Sequence, residues 1–146
     1  MALGESSGQN SRPSSKMNDA TLIAKTLPIL LLVDALWLFA RADYHKSFFA
    51  AVQGSPLTVR WIPAALVYVL LAIALVSVAV MGAKSVRNAA LRGALVGGIM
   101  YGFYDATNMA TLSGWTWSML ALDTLWGALG CGTTAAIAYH FFVKGN

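Results

Sequence analysis

From Ile62 to Met81 the chain runs for twenty residues without one charged side chain. At 1.5 Å per residue a helix of that length reaches about 30 Å, the thickness of a bilayer's hydrocarbon layer. A run like this has to be buried. With 58% hydrophobic and 11% charged residues among 146, the chain lacks the polar shell that would bury it in water. Lipid is therefore the expected solvent. Backbone N–H and C=O groups in lipid must be satisfied within the segment, so apolar runs of this length are expected as helices.

Three further runs have spanning length: residues 21–40, 92–112 and 117–142. The expected fold is an all-α polytopic membrane protein of four transmembrane helices, occupying residues 19–146. Residues 1–18, rich in Ser, Gly and Asn, hold too few large apolar side chains to offset the entropy of ordering and read as a disordered tail. Residues 41–60 read as an aqueous loop, with His45 in a solvated turn. Trp61 reads as an interfacial anchor. The lone Cys131 reads as a packing residue and leaves redox compartment open. Gly93, Gly97, Gly98 and Gly102 in the third run form two overlapping pairs at four-residue spacing, and Gly127, Gly130 and Gly132 offer a matching stripe in the fourth. Such residues let helices approach closely.

With four spans both termini lie on one side. That side holds seven Lys or Arg (Arg12, Lys16, Lys25, Lys84, Arg87, Arg92, Lys144) against three on the other (Arg41, Lys46, Arg60). The excess places the termini on the cytoplasmic side or its organellar equivalent. The net charge of +4 flanks the apolar runs and forms no patch interleaved with aromatics, which argues against nucleic acid as a partner.

Chemistry is concentrated where acids interrupt these runs. Asp34 and Asp123 each open the pattern Asp-x-Leu-Trp, ending at Trp37 and Trp126, and Asp105 lies in the segment Tyr101 to Trp115. Along the third run Tyr101, Asp105 and Asn108 fall at helical spacings of four and three and should project from one side, with Tyr104, Thr107 and Thr111 nearby. Counted from the span ends at 1.5 Å per residue, Asp34 and Asp105 lie about 18–20 Å from the inner face and Asp123 about 10 Å from the outer. The acids thus share one layer. Carboxylates at that depth are expected to face the bundle interior and to share protons, hold the helices together or bind a ligand. The same acid-then-tryptophan order on two oppositely directed helices is what an inverted pseudo-repeat produces, although membrane helices also reuse Leu and Trp freely.

The run Tyr104-Asp-x-Thr-Asn-x-Ala-Thr-Leu-x-x-Trp115, with Asp123-x-x-Trp-Gly127 after it and Asp34-x-x-Trp37 before it, resembles a mainly bacterial family of small four-helix membrane proteins classed as a domain of unknown function. The likeness covers residues 17–142. It implies four spans and singles out Asp34, Trp37, Tyr104, Asp105, Thr107, Asn108, Thr111, Trp115, Asp123 and Trp126, and it implies no particular activity or cofactor.

These residues suggest a proton-coupled binding or transport site for a small or lipophilic molecule, built from Asp34, Trp37, Tyr101, Tyr104, Asp105, Thr107, Asn108, Thr111, Asp123 and Trp126. Four helices are few for a transporter, so this reading expects a homo-oligomer or a larger membrane complex. An accessory subunit whose acids serve as internal glue is the alternative. A lipid-modifying enzyme ranks lower, because no nucleophile motif, histidine cluster or acidic pair at metal-ligand spacing is present. No metal site is expected. Retinal and haem are disfavoured, since no lysine or histidine lies deep in a span.

Overall fold

The computed structural model describes residues 18–144. The expected disordered tail, residues 1–18, lies outside the described residues but for Asn18. Five α-helices follow in order: α1 (Asp19–Ala40), α2 (Ala42–Gln53), α3 (Trp61–Ala74), α4 (Val86–Thr111) and α5 (Trp117–Phe142), with a π-helical segment, Leu75–Val80, continuing α3. No strand occurs among the described residues.

The helix starts follow from their caps. Asn18 Oδ1 accepts from the Thr21 N–H at 2.7 Å, Ser85 Oγ from the Asn88 N–H at 3.1 Å, and Thr116 Oγ1 from the Met119 N–H at 3.2 Å. Each satisfies one of the donors a helix leaves open at its N-terminus. Helix α2 stops at Gly54, whose φ of +71° is left-handed and open to glycine without penalty.

Three helices are long and apolar enough to cross a membrane: Asp19–Ala40, Trp61–Val80 and Trp117–Phe142, with mean hydropathies of 2.0, 2.6 and 1.2. Helix α4 is as long as α5, at 26 residues, but is not among them. Arg87, Asn88, Arg92, Asp105, Asn108 and its glycines dilute its apolar content.

Helix α4 lies along α5, and the glycines explain how closely. A Cβ at Gly97 would sit 1.9 Å from the Gly127 carbonyl oxygen, and one at Gly93 would sit 2.6 Å from Ala135 Cβ. Gly98 and Gly102 are looser, with nearest atoms at 3.7 and 3.2 Å. Of the two overlapping pairs, then, Gly93 with Gly97 makes the contact. Helix α1 packs on α5 and α3. Helix α4 meets the second span mainly along Leu75–Val80, whose Leu75, Val76, Ala79 and Val80 are wholly buried. Arg92 of α4 secures that end by donating to the carbonyls of Val78 and Gly82, so it is a structural donor and not only a topology charge.

The expected aqueous loop at 41–60 is corrected by α2. His45 is 8% exposed, not solvated, because α2 turns its aromatic side inward: Phe48 and Phe49 meet the Trp115 ring at 5.2 and 5.7 Å, and His45 meets Trp37 at 6.3 Å. The signal was present as an aromatic set, Tyr44, His45, Phe48 and Phe49, at spacings of three to four.

Candidate functional site

The site is built around Asp34, 7% exposed in the middle of α1. Its carboxylate accepts from three helices at once. The Tyr68 hydroxyl of α3 donates to Oδ2, the Tyr101 hydroxyl of α4 to Oδ1 at 3.1 Å, and the Trp126 indole N–H of α5 to Oδ1 at 2.8 Å. A carboxylate offers about four lone-pair directions, so three neutral donors nearly satisfy it. Tyr101 reaches this position because residue 127 is glycine: a Cβ there would lie 2.4 Å from the Tyr101 ring.

One turn further on, Trp37 stacks on Trp126 with centroids 5.0 Å apart and planes within 5°. Trp126 thus serves the acid of the other Asp-x-Leu-Trp segment, and the two segments meet through their stacked tryptophans.

Asp105 faces elsewhere. It is fully buried, and Trp115, from the turn between α4 and α5, donates its indole N–H to Oδ1 at 2.9 Å. Tyr104 and Phe48 meet the Trp115 ring edge-on at 5.9 and 5.2 Å. Tyr101 and Asn108 open onto a common pocket, while Asp105 is drawn towards Trp115. Asp105 remains within electrostatic reach of Asp123, and Asp123 of Asp34.

That pocket has a volume of about 530 Å³ and lies between α3 and α4, where the two helices part beyond the π segment. Ala64, Val67, Tyr68 and Leu71 form one wall, and Met100, Tyr101, Phe103, Tyr104, Thr107 and Asn108 the other. Asp34 and Asp123 complete the lining. The volume is in the range of sites for drug-sized molecules, and the lining is mostly apolar with a few convergent polar groups.

Thr107 lines the pocket and donates to its own helix at Phe103 O (2.7 Å). Thr111 bonds to Thr107 O at 2.9 Å and does not line it. Sequence reasoning did not single out Tyr68; its hydroxyl, which with that of Ser77 interrupts an otherwise aliphatic run, was the available signal. It also missed Arg41, whose guanidinium lies 4.9 and 4.3 Å from the Trp37 and Tyr44 ring centres, within electrostatic reach of Asp123.

Several buried polar atoms here have no hydrogen-bond partner: Asp105 Oδ2, Asp123 Oδ1, Asn108 Nδ2, Thr124 Oγ1, His45 Nε2 and Arg41 Nε. Only Thr134 Oγ1 joins them from elsewhere among the described residues. Buried polar groups nearly always find partners, and the atoms left over here gather around Asp105 and Asp123. Burial lowers the His45 pKa from its ordinary 6.5, against the pull of Asp123. No group of three or more His, Cys, Asp or Glu side chains among the described residues is arranged to hold a metal ion.

Comparison with curated proteins and with solved structures gives no match. A family model described as "Predicted membrane protein (DUF2177)", a family of unknown function, matches residues 20–140, in agreement with the resemblance carried by the Tyr104–Trp115 segment. A match over that much of the chain decides the matter: the protein is a multi-pass membrane protein of the DUF2177 family.

Proposed function

We propose that this protein binds a lipophilic molecule in the pocket between α3 and α4, within a four-span bundle whose termini face the cytoplasm or its equivalent. The observation that carries the reading is the pocket itself: about 530 Å³, lined mostly by apolar and aromatic side chains together with Asp123 and Asn108, which hold unpartnered polar atoms. An apolar body lies along α3 and α4, and a polar end meets Asn108 Nδ2 and Asp123 Oδ1. Entry is sideways from the bilayer, since the gap lies between two helices of the bundle's circumference.

Helix α4 counts as the fourth span in this reading. It matches α5 in length and lies against it through Gly93 and Gly97, which supports its crossing the same layer despite its lower hydropathy. The Asp34–Trp126 hydrogen bond and the Trp37–Trp126 stack, which bring the two Asp-x-Leu-Trp segments together, support an inverted pseudo-repeat with its axis in the membrane plane between the indoles. Asp34, held by three donors, anchors the helices. Asp123 faces the ligand and exchanges a proton as the site loads and empties. Four helices are few for a complete translocation path, so the working unit is a homo-oligomer or a larger membrane complex.

Native mass spectrometry of the protein in mild detergent, with identification of what stays bound, tests the reading. A discrete lipophile is expected on the wild-type protein and not on Ala64→Trp, which fills the pocket wall. Equal occupancy in both would place the molecule outside the pocket and overturn the proposal.

A further inference from the structure

Resting on the pocket reading above, we infer that the ligand class is a lipophilic cation, an aromatic or alkyl body carrying an ammonium or phosphonium centre. Charge is the first argument. The lining contains Asp34 and Asp123 and no Lys, Arg or His. The three donors on Asp34 are neutral, so they satisfy its lone pairs without supplying positive charge. Asp123 Oδ1 has no partner at all.

The nearby basic groups, Arg41 and His45, act on Asp123 from outside the recess. Arg41 is held over the Trp37 and Tyr44 rings and is not part of the lining, and Lys25 lies over the Phe142 ring, 5.3 Å from its centre, towards the far end of α1. An acidic recess in a low-dielectric wall attracts cations and repels anionic headgroups. A neutral hydrocarbon would leave Asp123 Oδ1 unanswered.

The walls supply the second argument. Tyr68, Tyr101, Phe103 and Tyr104 line the recess, and aromatic faces attract cations, more strongly where water is excluded. A small hydrated ion would waste the apolar remainder of the 530 Å³; a cation with an apolar body fills both parts. The proton balance follows. When Asp123 carries a proton the recess has lost the carboxylate that holds a free oxygen, Asp34 being taken up by its three donors, so cation entry releases that proton and reprotonation expels the cation. Affinity therefore falls as pH falls. The charged and titratable groups facing Asp123 are Asp34 from α1, Arg41 and His45 from the α1–α2 corner, and Asp105 and Tyr104 from α4.

The test compares three compounds of similar shape and different charge, tetraphenylphosphonium, triphenylphosphine oxide and tetraphenylborate, by equilibrium dialysis against the full chain in dodecyl maltoside, with protein-free micelles subtracted. The cation is expected to bind at least tenfold more tightly than the other two. Its affinity is expected to fall with pH, approaching tenfold per unit as one proton competes for one site. Asp123→Asn is expected to remove most of both effects, while His45→Gln keeps them, which separates Asp123 from the histidine. Asn108→Asp adds a second free carboxylate and is expected to tighten cation binding alone, so the inference stays testable if Asp123→Asn does not fold. Equal binding of all three compounds, or a cation affinity unmoved by Asp123→Asn and Asn108→Asp, overturns the cation class and leaves the lipophile pocket standing. No binding of any compound, together with no lipophile in the native spectrum, overturns both.

Discussion

Replacing Asp34 with alanine withdraws the acceptor from Tyr68, Tyr101 and Trp126 together. Side-chain hydrogen bonds between membrane helices measure about 0.6 kcal/mol on average and up to about 1.7, and donors left unpartnered in a dry interior cost about 1–3 kcal/mol each. Three bonds therefore set a loss of about 2–5 kcal/mol for Asp34→Ala. Asp34→Asn keeps one carbonyl for the two Oδ1 donors and offers an N–H to the Tyr68 oxygen, so about half that loss is expected. Tyr68→Phe and Tyr101→Phe should each cost about 0.5–1.5 kcal/mol in the native background and almost nothing beside Asp34→Ala. The assay is reversible unfolding in mixed dodecyl maltoside and dodecyl sulfate, followed by tryptophan fluorescence. A loss below about 1 kcal/mol for Asp34→Ala, or full additivity with the tyrosine variants, would refute the three-donor anchor.

Gly97→Ala should destabilise by about 2 kcal/mol or more in the same assay, because its Cβ would fall 1.9 Å from the Gly127 carbonyl oxygen, whereas Gly98→Ala, with 3.7 Å to its nearest neighbour, should be close to neutral. Trp115→Phe keeps most of the ring packing but leaves fully buried Asp105 without its indole donor, so a loss of about 1–3 kcal/mol is expected and pairing with Asp105→Asn should recover part of it. His45 has a lowered pKa, so the unfolded chain binds its proton more readily than the fold does. The stabilising difference is complete above pH 6.5 and is lost as pH falls below that value towards the folded pKa. Hydrogen exchange across α2 should quicken in that window, and His45→Gln should flatten the change relative to wild type.

The apolar runs revealed the helical architecture because bilayer length and absence of charge are properties of a segment alone. The acids and tryptophans at the centre were legible for a related reason: a polar group in an apolar run stands out against its neighbours. What the sequence could not disclose is which acid meets which donor. Asp34 takes donors 34, 67 and 92 residues away, and those pairings follow from how four helices pack, not from spacing along any one of them. Asp105 and Asp123 looked equivalent to Asp34 by depth, yet Trp115 claims one and the other keeps an oxygen without a donor. Helix α2 was hidden by its mixed composition: Asp43, His45, Lys46 and Gln53 give it an aqueous average, while its aromatic side folds onto Trp115. The pocket was hidden too, since it arises between two helices, α3 and α4, whose packing no spacing along either one discloses.

The most direct test of the central claim is the structure of the protein in a lipid nanodisc, determined by electron cryomicroscopy with a rigid binding partner to add mass. The account predicts elongated non-protein density between α3 and α4, beside Tyr68 and Tyr104 and ending at Asp123. A gap closed by α3 resting on α4, or filled by a helix of a second copy, would contradict it.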